Sequence, residues 1–383
     1  MFAARDALLT NCLHSFNLVA DALLPLYLTM VGHYGKPRPD ARVWIQHDGL
    51  QSRRTTLGAD DLQAELVVAE RTSSPLSLLR LFTSAPIGNR ADWDDHARER
   101  GTTCFRNLHV GLDVRNTFLH AGASATHPQH SVVDVRTDTA VEMADAQRGF
   151  ITFLLSGMSL GPQRTLPRLG NPASAAALVE RVVINVVDAS GSKAGVHGFT
   201  NVDDVVRAFD TTTRLAQTAT VQPVSLASLG VRKLAELMGS TSVLVTPADE
   251  MATAAMFLPR GAVMVLVPEP GLFGWKWMHA NLALLSGVHV VALRRPSDCD
   301  DTEGFGGVQD HTQVEPTSTE CSIDADVLNE AVQAALDLRE AGTLDGVGSS
   351  FVTVPDVCED EYSDAEDDQP WFCQPTAQAA TAI

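Results

Sequence analysis

The amino-acid sequence predicts an α/β protein whose second half is a doubly wound, Rossmann-like parallel sheet. Three observations lead there. Five apolar runs of strand length recur between residues 182 and 293, separated by amphipathic stretches of crossover length. Glycine, proline and asparagine cluster at 161–175, as they do in linkers, which divides the chain into a domain over 1–160 and another over 176–342. An apolar fraction of 45% in 383 residues suits two ordinary cores.

In the second half Val182–Val187 (VVINVV) is a continuous apolar run that reads as a buried strand. Asn201 then caps a helix bearing Val202, Val205, Val206 and Phe209 on one face. A strand at 218–224, a helix at 229–238, a strand at 242–245, a helix at 250–258, a strand at 262–267, a helix at 275–285 and a strand at 288–293 continue the series. Right-handed crossovers on such a sheet place ligands beyond the carboxyl ends of the strands. A last amphipathic helix over 324–341 presents Leu328, Ala331, Val332 and Ala335 to the core and stops at Gly342. The first half is α/β by composition, with a helix-like apolar block from Leu8 to Met30 and strand-like pieces at 42–46, 66–68, 108–112 and 132–135.

The formal charge of -19 is unevenly placed. Residues 1–295 hold 26 acids and 27 bases, and residues 296–383 hold 21 acids and one base, Arg339. No basic excess exists to drive phosphate-backbone binding, so nucleic acid is excluded as a partner. The tail over 343–383 contains CEDEYSDAEDDQ and reads as disordered. No apolar run is long enough to span a membrane, and the N-terminus shows neither signal nor anchor, which points to the cytoplasm if the chain is complete there. The six cysteines form no CxxC.

Metal motifs are weak. Asp92/Asp94, Asp298/Asp300 and Asp324/Asp326 are Asp-x-Asp triplets of the kind that hold Mg²⁺ on a diphosphate, but a chain this rich in aspartate produces roughly two or three by chance. His127 and His130 in HPQH lack a third ligand. Gly191, Gly195 and Gly198 follow the first strand of the second domain where a phosphate-cradling turn belongs, yet match neither GxGxxG nor a P-loop, which disfavours a nicotinamide-dependent oxidoreductase. Lys193, one of four lysines, lies within that loop beside Ser190. At Thr246-Pro247-Ala248-Asp249-Glu250 a strand turns into a helix. Two readings stand: a capping box with Pro247 at the first helical position, or a carboxylate of Asp249 or Glu250 placed as general base. His14 and Asp21 sit in an apolar block where a polar side chain must be paired, either with backbone or with each other in a functional pair.

The ordered set His14-x-Phe16-Asn17, Asp21-Ala-Leu-Leu-Pro25-Leu-Tyr27-Leu-Thr29, Cys104-Phe105-Arg106, Val110-Gly111-Leu112, Ser242 through Thr253, and Phe257-Leu258-Pro259-Arg260-Gly261-Ala262-Val263 resembles the glycosyltransferase family 61 domain. That family includes plant xylan arabinosyl- and xylosyltransferases and animal O-linked N-acetylglucosamine transferases. The resemblance runs from about Asn11 to Leu293. It implies a GT-B-like fold, two Rossmann-like doubly wound domains facing a cleft, and metal-independent, inverting transfer from a nucleotide sugar, UDP-linked, to a glycan or glycoprotein acceptor in the Golgi or ER lumen. It requires no cofactor, and taken with the readings of the residues above it leaves His14, Asp21, Asp249 and Glu250 as catalytic candidates and Ser190, Lys193, Thr246 and Thr253 as donor-contact candidates.

Two departures bear on activity. The family's His-Gly-Ala-Gly stretch falls on Ala248-Asp249-Glu250-Met251. A carboxylate about 4 Å from a diphosphate oxygen costs on the order of 4 kcal/mol at an effective dielectric of about 20, nearly a thousandfold in affinity. Where the family carries an arginine after the first strand, this chain has Val187-Asp188-Ala189. The alternative is therefore a catalytically degenerate member that binds a glycan or a protein partner.

Overall fold

The computed structural model describes residues 2–4, 18–41, 43–45, 75–84, 88–89, 98, 109–110, 132–167, 182–188, 199, 201–211, 219–226, 229–248, 250–267, 277–293, 325–341 and 349–354. The chain divides into two compact units. One comprises Met1–Phe118, Gly149–Pro162 and Gly230–Leu234; the other comprises Leu119–Arg148, Gln163–Leu229 and Ala235–Ile383.

The second unit holds a six-stranded parallel sheet of β5 (Val182–Val187), β6 (Ala219–Val224), β7 (Val243–Pro247), β8 (Val263–Val267), β9 (His289–Leu293) and β10 (Phe351–Val354). Their spatial order is β10-β9-β8-β7-β5-β6. Every residue of β7, β8 and β9 is buried, as a sheet covered on both faces requires. Valines from these strands meet Val202, Val205 and Phe209 of helix α3 (Val202–Thr211) and Leu328, Val332 and Leu336 of helix α6 (Ala325–Ala341) in one apolar cluster. Helix α4 (Val231–Met238) follows β6, and helix α5 (Trp277–Leu285) is enclosed from Met278 to Leu285. Asn185, fully buried in mid-strand, is satisfied by donating to the Thr241 hydroxyl at 2.6 Å and accepting from Gln222 at 2.8 Å.

Four differences from the sequence expectation stand out. Phe351–Val354 lies within the segment expected to be disordered, yet it pairs along β9 from Phe351↔Val290 to Val354↔Leu293. Its four residues, FVTV, carry no charge, so the acidity of the tail masks a short β-forming segment. Val132–Val135 is not a strand. Its valines are buried, but Asp134 and Arg136 bond each other in a turn and the Val133 N–H donates to the Asn281 side chain at 2.7 Å. Helix α2 (Asp138–Gly157) was not expected. Its Gln147 donates to the Leu282 carbonyl and the Ser286 hydroxyl, both at 2.6 Å, so residues 119–148 group with the second unit although they precede the 161–175 linker.

The first unit contains four short parallel strands, β1 (Phe2–Ala4), β2 (Val43–Ile45), β3 (Gly88–Asn89) and β4 (His109–Val110), in the order β3-β2-β1-β4. From residue 18, where its described part begins, the apolar block forms a π-type turn at Val19–Leu23 followed by helix α1 (Leu24–Tyr34), which has Pro25 in its first turn and ends at Gly35 with φ +71°. Phe153 of α2 packs against Tyr27 at 5.5 Å and against Phe82 at 5.0 Å between ring centroids. Tyr27 also meets Phe150 at 5.4 Å.

Gly149 makes that packing fit, because a Cβ there would lie 2.8 Å from the Tyr27 hydroxyl. Gly149→Ala should therefore lose about 1–2 kcal/mol in denaturant unfolding despite the better helix propensity of alanine. Adding Tyr27→Phe, which removes the colliding oxygen, should recover the loss. A Gly149→Ala protein as stable as the parent would show that this contact does not constrain the helix.

Candidate functional site

The direction of strand addition reverses between β5 and β7, because β6 lies outside β5 while β8, β9 and β10 lie on the other side of β7. In doubly wound sheets the carboxyl ends of the two strands at such a reversal border the ligand crevice. Here the two strands part at that end. Pairing of β5 with β7 stops at Val186↔Val245. Meanwhile β5 stays with β6 to Val187↔Val224, and β7 stays with β8 to Pro247↔Val267.

Proline accounts for the parting. The Asp188 N–H donates to Val224 of β6 at 2.9 Å, so the Val187 carbonyl, one residue back, points toward β7. A parallel ladder continued from Val186↔Val245 would bring the amide of residue 247 to that carbonyl, and proline has no N–H to give. The carbonyl is served instead by the Phe199 N–H at 3.2 Å, where the chain returns from the loop after β5 and forms an isolated bridge with Asp188. On its other side β7 loses nothing, since the Ala248 N–H reaches Val267 at 2.8 Å.

The capping-box reading of Thr246 does not hold. Thr246 and Pro247 remain in β7, and the fully buried Thr246 hydroxyl donates to the Pro247 carbonyl at 3.1 Å rather than capping a helix. The helix that follows is a 3-10 helix, Glu250–Phe257, enclosed from Met251 onward, and Thr253 within it is fully buried. Neither threonine presents a surface to an incoming ligand. Asp188, half-buried at the tip of β5, was noted in the sequence only as a departure from a family pattern.

His14, Ser190, Lys193 and Asp249 lie outside the described residues, as do the side chains of Asp21, in the turn Val19–Leu23, and Glu250, at the start of the 3-10 helix. Asp92/Asp94, Asp298/Asp300, Asp324, His127 and His130 also fall outside them. Among the described residues no cluster of three or more His, Cys, Asp or Glu could hold a metal ion, and no helix is long and apolar enough to cross a membrane. A surface pocket of about 420 Å³ in the first unit is lined by Leu81, Gly149, Thr152, Phe153, Ser156 and Gly157, none of them an expected site residue. The chain matches no family model and no curated protein.

Because the Phe199 N–H already serves the Val187 carbonyl, an amide restored at residue 247 gains no ladder bond, and Pro247→Ala should change unfolding stability by no more than about 1 kcal/mol. A loss above about 3 kcal/mol would mean that the ring itself packs the crevice.

Proposed function

We propose that the second unit binds a nucleotide-linked sugar at the crevice between β5 and β7, and that the protein transfers the sugar to a glycan or glycoprotein acceptor. The observation that carries this reading is the strand reversal with β5 and β7 parted at their carboxyl ends, the place where this sheet class holds nucleotides. The GT-B-like pairing of two domains, inverting chemistry without a metal, a UDP-linked donor and a lumenal setting are parts of the same proposal and rest on the resemblance to glycosyltransferase family 61. Within it a carboxylate or imidazole among His14, Asp21, Asp249 and Glu250 removes the acceptor proton, and Ser190 with Lys193 faces the diphosphate.

A second reading, a binding module without transferase activity, is favoured by one specific observation. The described ionisable side chain at the tip of β5 is an acid, Asp188, while Thr246 and Thr253 are enclosed. An acid there opposes an anionic ligand.

Calorimetric titration with UDP and UDP-sugars tests the first reading, and absence of binding at millimolar concentration would end it. Where binding occurs, Asp188→Asn should tighten UDP about tenfold by removing one repulsive charge, and Asp249→Gly with Glu250→Ala should act in the same direction. Thr246→Val should leave the affinity unchanged. Glycan binding in the absence of UDP binding would select the binding module.

A further inference from the structure

We propose that the first unit has a ligand site of its own, the surface pocket of about 420 Å³ on α2, and that its ligand is a neutral aromatic alcohol. The volume is that of a small-molecule site. The pocket is built on the second half of α2, where Gly149, Phe153 and Gly157 fall four residues apart on one face and Thr152 with Ser156 form the adjoining row. Neither glycine position admits a side chain: a Cβ at Gly149 would lie 2.8 Å from the Tyr27 hydroxyl, and one at Gly157 would lie 2.5 Å from Leu81 Cδ2. Phe153 is therefore the one large side chain that α2 gives to the lining. The pocket shares no residue with the crevice between β5 and β7, so its occupancy stands apart from nucleotide-sugar binding.

The walls define the occupant. Phe153 is half-buried, and it lies 5.5 Å from Tyr27 and 5.0 Å from Phe82 between ring centroids. A ligand ring placed against it extends an aromatic cluster, where edge and offset contacts are favourable. The hydroxyls of Thr152 and Ser156, and that of Tyr27 beside Gly149, make no hydrogen bond to any described residue. Thr29, Thr241 and Ser286, by contrast, turn theirs back onto the carbonyl four residues earlier, at 2.7, 2.9 and 2.7 Å. Thr152 and Ser156 stand one turn apart, about 5–6 Å between Cβ atoms, a spacing that two oxygens para to each other across a benzene ring can meet. No charged side chain lines the pocket, so an ionised ligand would lose hydration there without gaining a partner.

Titration of the full chain with 4-hydroxybenzyl alcohol, followed by the amide resonances of residues 149–157, tests the site. The shifts should saturate with a Kd on the order of 1 mM, as an open pocket and a ligand of few atoms allow. The saturated counterpart, 4-(hydroxymethyl)cyclohexanol, should bind about fivefold more weakly for want of the ring contact with Phe153. Thr152→Val with Ser156→Ala should weaken the aromatic probe about tenfold. Both positions are exposed, so the double variant keeps the fold. Ser156→Trp, which fills the pocket, should abolish the shifts. Absence of saturable shifts at about 20 mM, equal affinity for the saturated probe, or undiminished affinity in the double variant or in Ser156→Trp each overturns the proposal.

Discussion

The constraint from which the second unit follows is that a parallel sheet leaves no face to water. Its strands must be apolar throughout, and any polar side chain within them must be satisfied in place. β7, β8 and β9 are buried at every position and apolar at all but Thr246 and His289. Asn185 meets the second, its amide held between Gln222 on the neighbouring strand and Thr241 after α4, whose hydroxyl in turn donates to Leu237 at 2.9 Å. Both faces also need helices, and α5 is so deeply enclosed that Asn281 and Ser286 take bonds from the segment 132–147.

Because the sheet's demand on sequence is strong, its strands were legible. The apolar runs at 182–187, 218–224, 262–267 and 288–293 fall within one residue of the observed β5, β6, β8 and β9, which join in the parallel sheet expected of them. What was illegible had a competing signal. Helix α2 carries Gly149 and Gly157 in its second half, which weaken a helical reading yet are needed where Tyr27 and Leu81 approach. β10 is four residues beside a strongly acidic tail. The Thr246-Pro247 pair reads locally as a helix start, but the sheet carries the strand two residues further, since only the side facing β5 needed the missing amide. Of the candidate site the sequence showed the outline alone: the end of β7 borders the strand reversal, while Thr246 and Thr253 are enclosed for a reason visible only in the packing.

The charge distribution takes on a finer meaning at this edge of the sheet. Helix N-termini beyond the carboxyl ends of the strands are the usual seat of phosphate, because their free N–H groups and dipoles favour an anion. In this chain two of those termini are met by acids of its own: Asp203 and Asp204 open α3, and Asp326 opens α6. Each supplies locally the negative charge that a phosphate would otherwise bring. A diphosphate held here would depend on a positive group from elsewhere in the crevice. In the proposal that group is Lys193, the one lysine of the loop from Ala189 to Gly198, a point charge without the bidentate fork that arginine offers a phosphate. The proposed donor site thus differs from an ordinary phosphate-binding edge in having Asp188 at the tip of β5 oppose the diphosphate, which makes sugar and base contacts more important to affinity.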